Sequence, residues 1–282
     1  MIHRPALGRK LTDRVVKGVS ACAALLGILA LAWILLIVIQ KGAAAINWDF
    51  FLHRTLPTGE AGGGVSNAIL GSALLVGLAI AFGVPIGLMV GVYLAEFGRD
   101  TRFGAAVRFS ANVMMGIPSI IVGLFVYTLI VVPTHTFSGW AGALALAILM
   151  LPVVARTTED MLQLVPNALR ESALALGSPR WRVTFQIVFR AAKVGLLTGV
   201  LLAIARISGE TAPLLFTALN SPYWATTLNG PVANLPVTIW NYAMSPYDDW
   251  VRLAWGASLL ITVGVLALNI SSRLILRRSR HE

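Results

Sequence analysis

Charged residues are scarce in this sequence. Only 12% of its 282 residues are Asp, Glu, Lys or Arg, whereas 57% are hydrophobic. A soluble globular domain carries about a quarter charged residues, so this composition excludes an ordinary soluble protein. The apolar residues come instead in blocks of about twenty, the length that a helix needs to cross the hydrocarbon of a bilayer. The sequence therefore predicts an all-α, polytopic membrane protein.

Cysteine pairs, histidine clusters and a phosphate-binding loop are also lacking. The one cysteine, Cys22, lies inside the first apolar block and can form no intramolecular disulfide. The four histidines are scattered without metal-ligand spacing. No Gly-Lys dipeptide is present to build the loop that holds nucleotide phosphates. We therefore expect a chain that is not an enzyme, with no metal and no cofactor, and any ATP must be hydrolysed by a partner.

Six apolar stretches predict six membrane-spanning helices. They lie at residues 18–39, 68–95, 113–132, 140–155, 194–219 and 253–275. The first stretch exceeds the roughly 7–15 apolar residues of a signal peptide, so we interpret it as a retained span. The expected organisation is a tail at 1–17, a six-span domain at 18–276 that includes loops at 156–193 and 220–250, and a tail at 277–282.

Basic residues indicate the orientation of these spans. Of the 22 lysines and arginines, 18 lie in the tails and in the loops after the second and fourth spans, and only Lys41, Arg54 and Arg252 lie in the other loops. Cytoplasmic loops carry the excess of basic residues, so both termini are expected in the cytoplasm and loop 220–250 outside. This rule also accounts for the net charge of +10, and we expect no nucleic-acid partner.

The most informative segment lies in loop 156–193. Residues 167–176 favour a helix, and Gly177 can take the left-handed conformation that ends one. Ser178 can cap a second helix, and Pro179 suits the first position of that helix. These features predict a helix-turn-helix outside the membrane.

The residue order in this segment resembles the EAA motif found in permease subunits of binding-protein-dependent ABC importers. Glu171-Ser172-Ala173, Gly177 and Ile187 match, although Ser172 replaces an alanine and a proline usual near position 190 is an arginine. In that family the motif docks into a cleft on a separate ATPase. The resemblance thus implies ATPase coupling by five residues: Glu171, Ala173, Gly177, Ser178 and Pro179.

A second segment places charge inside the fifth predicted span. If hydrocarbon begins near Gly195, a rise of about 1.5 Å per residue puts Arg206 roughly 16 Å deep. Glu210 follows four residues later, so the two would share a helix face and could neutralise each other. Charges at this depth commonly mark substrate or ion pathways. The hydrogen-bond donors of a guanidinium match the geometry of a phosphate-like anion. We expect Arg206, Glu210 and Thr211 to serve translocation; a structural ion pair is the alternative.

Prolines and glycines also punctuate the spans. Pro118 removes a helical hydrogen bond within or at the edge of the third span, which predicts either a packing kink or a bending point. Gly83, Gly87 and Gly91 form a ridge of small residues on the second span that permits close helix contact. From the sequence, the partner of this ridge is either another helix of the chain or another subunit.

Four blocks together resemble the A-type permeases of high-affinity phosphate importers. They lie at residues 62–69, 116–119, 208–215 and 235–243. The resemblance implies a type I ABC importer permease fold in the bacterial cytoplasmic (inner) membrane, moving inorganic phosphate. It also implies a heterodimer with a homologous second permease, two copies of a cytoplasmic ATPase and an extracytoplasmic phosphate-binding protein.

Three alternatives remain at this stage. An importer of another oxyanion, such as sulfate or molybdate, would also use an intramembrane arginine. An ion-coupled secondary transporter would need no EAA-like segment. A membrane scaffold would leave the buried charges unexplained.

Overall fold

The computed structural model describes residues 6–57, 60 and 62–278, and within these residues the chain forms helices and no strand. The helices are α1 (Ala6–Ala43), α2 (Trp48–Leu52), α3 (Ser66–Val92), α4 (Arg102–Gly116), α5 (Ser119–Val126), α6 (Val132–Thr134), α7 (Gly139–Gln163), α8 (Asn167–Ala175), α9 (Arg180–Arg182), α10 (Phe189–Ile207), α11 (Ala212–Thr217), α12 (Leu235–Ala243) and α13 (Asp248–Arg278). Three π-helical turns extend or join them: Tyr93–Phe97, Tyr127–Val131 and Val183–Val188.

Five continuous helical stretches in the described part are long and apolar enough to span a membrane. They are Thr12–Ala43, Ser66–Phe97, Gly139–Gln163, Arg180–Ile207 and Asp248–Leu274. A sixth candidate is broken, because Arg102–Gly116 and Ser119–Thr134 meet at an angle of 102°. Each predicted apolar stretch therefore coincides at least in part with a helix, or a bent pair of helices, that is long and apolar enough to span a membrane.

The third predicted span, 113–132, is wrong in its first residues. Helix α4 ends at Gly116, and Ile117 and Pro118 are extended, with ψ of 130° and 134°. The proline ring disfavours helical backbone at the preceding residue, so the helix ends there and a new one starts at Ser119. Pro118 therefore marks a sharp bend between two helices.

The fifth predicted span, 194–219, is also interrupted. Helix α10 ends at Ile207, and α11 begins only at Ala212. Pro213 lies in the first turn of α11, where its missing N–H is tolerated. The segment 208–211 between them is a turn and not a continuous helix.

The centre of the bundle is the contact between α3 and α7, which run parallel. A Cβ placed on Gly87 would lie 2.8 Å from Cβ of Val154, and one on Gly91 would lie 2.5 Å from the carbonyl oxygen of Ala155. Gly83 approaches the same helix one turn earlier. The glycine ridge therefore packs within the chain, and its close approach places the C-terminal ends of α3 and α7 together.

We call this end of the bundle the basic end, because it carries Arg99, Arg102, Arg108, Arg156 and Arg170. Helix α7 continues through 156–163, which the sequence had placed in the following loop, and α8 and α9 follow. The opposite end holds the N-terminal ends of α3, α7 and α13. Helix α1 joins the bundle there, where a Cβ on Gly42 would lie 2.6 Å from Cβ of Leu259, whereas residues 12–34 are exposed.

We predict that Gly91→Ala destabilises the chain by about 1–3 kcal/mol, the usual effect of overpacking a tight contact. The added methyl group would meet the Ala155 carbonyl oxygen and Cβ of Thr158, each at 2.5 Å. Gly77→Ala is the matched control on α3, since its Cβ would meet nothing within 4 Å. Thermal unfolding of the purified chain in one detergent compares them. Equal unfolding temperatures would contradict a glycine-dependent contact.

Candidate functional site

Helices α8 and α9 form the predicted helix-turn-helix, which we call the α8–α9 hairpin (residues 167–182). Gly177 is left-handed, with φ of +80°. Its N–H donates to the Leu174 carbonyl oxygen at 2.9 Å, and the Ser178 N–H donates to that of Ala173 at 3.2 Å. This pair of bonds is the Schellman arrangement that terminates helices. The predicted conformation of Gly177 is confirmed.

The predicted positions of Ser178 and Pro179 are wrong by one residue. Helix α9 begins at Arg180, and Pro179, with ψ of 149°, precedes it. The N–H groups of Arg182 and Val183 both donate to the Pro179 carbonyl oxygen, at 2.9 and 3.2 Å. Since no side-chain hydrogen bond caps this helix among the described residues, Ser178 does not serve as the cap.

The hairpin has one face on the bundle and one face free. Ala173 is buried and lies in an apolar cluster with Val92, Leu162 and Val183. Glu171, Gly177 and Pro179 are exposed, Ser178 is half-buried, and Leu176 is 87% exposed. The motif residues therefore divide: Ala173 anchors the hairpin, and the others are available to a partner.

Arg170 is the main polar anchor of the hairpin, and no local sequence pattern indicated this role. Its Nη2 lies 2.9 Å from Oε1 of Glu96, and Nε lies 3.2 Å from the same atom. Nη2 also donates to the Leu162 carbonyl oxygen at 2.7 Å, and Nη1 to that of Val165 at 2.5 Å. Arg170 and Glu96 are 74 residues apart, a separation that no local pattern reveals.

A second buried ion pair ties α4 to α7, also unforeseen. Glu159 is 1% exposed, and its carboxylate accepts hydrogen bonds from Nε of Arg108 at 2.5 Å and from Nη1 of Arg156 at 2.9 Å. Nε2 of Gln163 donates to it at 3.1 Å. The carboxylate is thereby paired and hydrogen-bonded, as a buried charge must be. It holds α4 against α7 on the N-terminal side of the bend at Pro118.

The predicted translocation residues lie at the break between α10 and α11. Arg206 is exposed, Glu210 and Thr211 are half-buried, and the Glu210 N–H donates to the Ile207 carbonyl oxygen at 3.2 Å. Among the described residues, no ion pair joins Arg206 to Glu210. The expectation that they share one helix face is wrong, because α10 ends at Ile207. Each is free to interact outside the chain.

The sequence blocks singled out above lie at or next to two contacts between separate parts of the chain. A Cβ on Gly123 would lie 2.6 Å from Cα of Pro213, so the segment after Pro118 packs on the segment after Glu210. At the opposite end, Val65 lies in one buried cluster with Leu235 and Tyr242. Blocks 62–69 and 235–243 thus contact each other, and block 208–215 packs on α5, the helix that follows Pro118.

Much of loop 220–250 is folded into the opposite end of the bundle. Asn234 is fully buried; its Oδ1 accepts from the Val237 N–H at 3.1 Å, and its Nδ2 donates to the Leu219 carbonyl oxygen at 3.0 Å. Burial raises the pKa of Tyr242 to about 12, so its phenol stays neutral. Asn229 remains exposed, in a bend of this loop.

No group of three or more His, Cys, Asp or Glu side chains that could hold a metal ion occurs within residues 6–57, 60 and 62–278. The arrangement at the basic end consists instead of paired charges and a free hairpin face. The exposed face of the hairpin is available for contact with a partner protein.

The chain is similar to known transport proteins. Residues 83–281 match the sequence profile of a family described as binding-protein-dependent transport system inner membrane component. The phosphate transport system permease protein PstA of Yersinia pestis is 50% identical over 273 residues, which cover 97% of this chain and 92% of that protein. PstA of Haemophilus influenzae is 50% identical, with 96% of each chain covered.

Solved structures share the fold at lower identity. A chain of a bacterial alginate ABC transporter, in complex with an alginate pentasaccharide-bound periplasmic protein, has a TM-score of 0.66 at 16% identity; the match covers 97% of this chain and 98% of that chain. A chain of the inward-facing MetNI methionine ABC transporter has a TM-score of 0.63 at 19% identity and covers 75% of this chain and 94% of its own. The predicted fold class, a type I ABC importer permease, is confirmed.

Proposed function

Since this chain belongs to the family of binding-protein-dependent transport inner membrane components, and within it to the PstA phosphate permeases, we infer that it moves inorganic phosphate across the bacterial inner membrane. The 50% identity over 97% of the chain carries this conclusion. The chain is a transport subunit and not an enzyme, and ATP is hydrolysed by a separate subunit.

Reconstitution tests this function directly. The chain is assembled with its ATPase, second permease and phosphate-binding protein in vesicles, and phosphate uptake is followed with and without ATP. We expect uptake to require ATP and to persist in excess sulfate or molybdate. Loss of phosphate uptake in excess sulfate would favour a different oxyanion. Uptake driven by an ion gradient alone would favour a secondary transporter.

Three kinds of partner complete the proposed importer: a homologous second permease, two copies of a cytoplasmic ATPase and an extracytoplasmic phosphate-binding protein. The exposure of Arg206 supports the second permease, because a charge at mid-span facing lipid is costly. The free face of the α8–α9 hairpin, with Glu171 and Leu176, supports the ATPase contact. Both termini and the basic end would lie in the cytoplasm.

The proposed coupling role depends on the shape of the hairpin at Gly177. A Cβ there would meet nothing within 4 Å, so substitution acts through the backbone alone. The left-handed conformation costs about 1–2 kcal/mol for most residues, but asparagine tolerates it. Gly177→Val should therefore reduce both ATPase co-purification and phosphate uptake, while Gly177→Asn should keep both. Equal behaviour of the two variants in both measurements would contradict the proposal.

The proposed orientation can be tested by labelling cysteines in a background in which Cys22 is replaced by serine. Asn229→Cys lies in the exposed bend of loop 220–250, and Asp100→Cys lies in an exposed turn at the basic end. A membrane-impermeant thiol reagent added to intact cells should label only the first. Asp100→Cys should react after the membrane is opened. The reverse pattern would invert the topology.

We propose that Arg206 contacts the anion in the pathway and that Glu210 and Thr211 complete the polar lining of this break. Because Arg206 and Glu210 do not pair within the described chain, neither substitution leaves a broken ion pair behind. The backbone turn at 208–211 exposes polar groups at membrane depth, which is tolerated where a cavity is lined.

Arg206→Ala should assemble and bind the ATPase normally yet lose uptake at limiting phosphate by about tenfold or more, since a hydrogen bond to a charged group contributes about 1.5–3 kcal/mol. Arg206→Lys should retain part of the phosphate uptake that Arg206→Ala loses, because an ammonium keeps the charge but lacks the two-pronged hydrogen bonding of a guanidinium. The double variant Arg206→Ala, Glu210→Ala separates the roles. Near-normal phosphate uptake in the assembled double variant would show that both residues have only a structural role, and would contradict the proposal.

A further inference from the structure

The α8–α9 hairpin is attached to the bundle at few points. Its apolar attachment is Ala173, whereas Leu169, Leu174 and Leu176 are exposed. Its polar attachment is Arg170, whose side chain is 17% exposed and whose partner Glu96 is 11% exposed. Apart from the backbone that joins α9 directly to the turn Val183–Val188 and α10, the hairpin therefore contacts the bundle mainly through Ala173 and Arg170.

Arg170 contacts the ends of both central helices at once. Glu96 lies in the π-helical turn Tyr93–Phe97 that extends α3, and Leu162 lies in the last turn of α7. The final carbonyl groups of a helix lack partners within it, and a cation is favourable there. The guanidinium thus satisfies the end of α7 with one edge and holds α3 with the other.

The hairpin is loosely packed beside this ion pair. A cavity of about 240 Å³ lies between α8, α9 and the end of the turn Tyr93–Phe97, and its lining includes Glu96, Phe97, Arg170, Leu174, Arg180 and Thr184. The hydrogen bonds of Arg170, and not close packing across this cavity, therefore fix α8 to the ends of α3 and α7. Turns of this π-helical kind recur at functional sites.

We propose that Arg170 is a positioning residue that fixes the hairpin to the ends of both α3 and α7, so that a displacement of the hairpin moves these two helices as one unit. This role rests on the proposed function, because it assigns the route by which the ATPase acts on the phosphate pathway. Arg170 itself touches neither ATP nor phosphate. Its loss uncouples hydrolysis from transport without releasing the ATPase.

The test uses the complete complex reconstituted in vesicles, with phosphate and ATP as probes. Arg170→Gln should leave ATPase co-purification unchanged. The ratio of phosphate moved to ATP hydrolysed should fall by about 5–150-fold, the factor that corresponds to a typical coupling free energy between two sites. Glu96→Gln is the milder variant, because an amide oxygen still accepts from Arg170. It should fold normally and lower the ratio less. Arg170→Lys should be intermediate, since it lacks the fork.

The double variant Arg170→Gln, Glu96→Gln should be no worse than Arg170→Gln, because both changes remove one interaction. Arg190→Gln is the matched control: it removes an exposed arginine from the same end of the bundle and should leave the ratio normal. An unchanged ratio in Arg170→Gln, or loss of the ATPase from it, would overturn the proposal. Failure of the unsubstituted complex to move phosphate would overturn the proposed function instead.

Discussion

The close contact of α3 with α7 is the constraint on which the other parts depend. Lipid chains are as apolar as leucine, so helices in a membrane associate through tight packing and small residues. Gly83, Gly87 and Gly91 supply that packing, and the parallel register brings the ends of both helices to one side. Only with this register can one guanidinium, that of Arg170, reach Glu96 and the Leu162 carbonyl oxygen together.

The two interruptions of the bundle lie against each other. The bend at Pro118 precedes Gly123, and the turn after Ile207 precedes Pro213, which touches Gly123. Broken backbone at membrane depth must be buried in protein or line a cavity, because lipid cannot satisfy its polar groups. Packing one break on the other meets part of that demand. It also leaves Arg206 on the outer side of the break, exposed in the single chain.

The sequence predicted those features that depend on local backbone chemistry or on long apolar runs. Gly177 was identified because glycine alone adopts a left-handed turn freely, and the spans because hydrocarbon thickness sets their length. The sequence does not predict where the fifth span is interrupted. Its spacing places Arg206 and Glu210 on one helix face, but the turn at Ser208 and Gly209 ends the helix between them.

The ion pairs could not be predicted for a different reason. Arg108 and Glu159 are 51 residues apart, and Arg170 and Glu96 are 74 apart. Such partners meet only through the packing of α3, α4 and α7, which no single-segment pattern contains. The glycine ridge indicated that α3 makes a close contact, but it did not identify the helix on the other side.

Charge pairing separates the arginines of this chain into two kinds. Arg108, Arg156 and Arg170 each meet a carboxylate within the chain, at the basic end. Arg206 meets none among the described residues, although it lies in a span where an uncompensated charge is costly. Because a paired arginine is already neutralised, it can hold helices in place but has little attraction left for an anion. The unpaired arginine at the break therefore remains free to attract an anion, which is the basis of the translocation role that we propose for it.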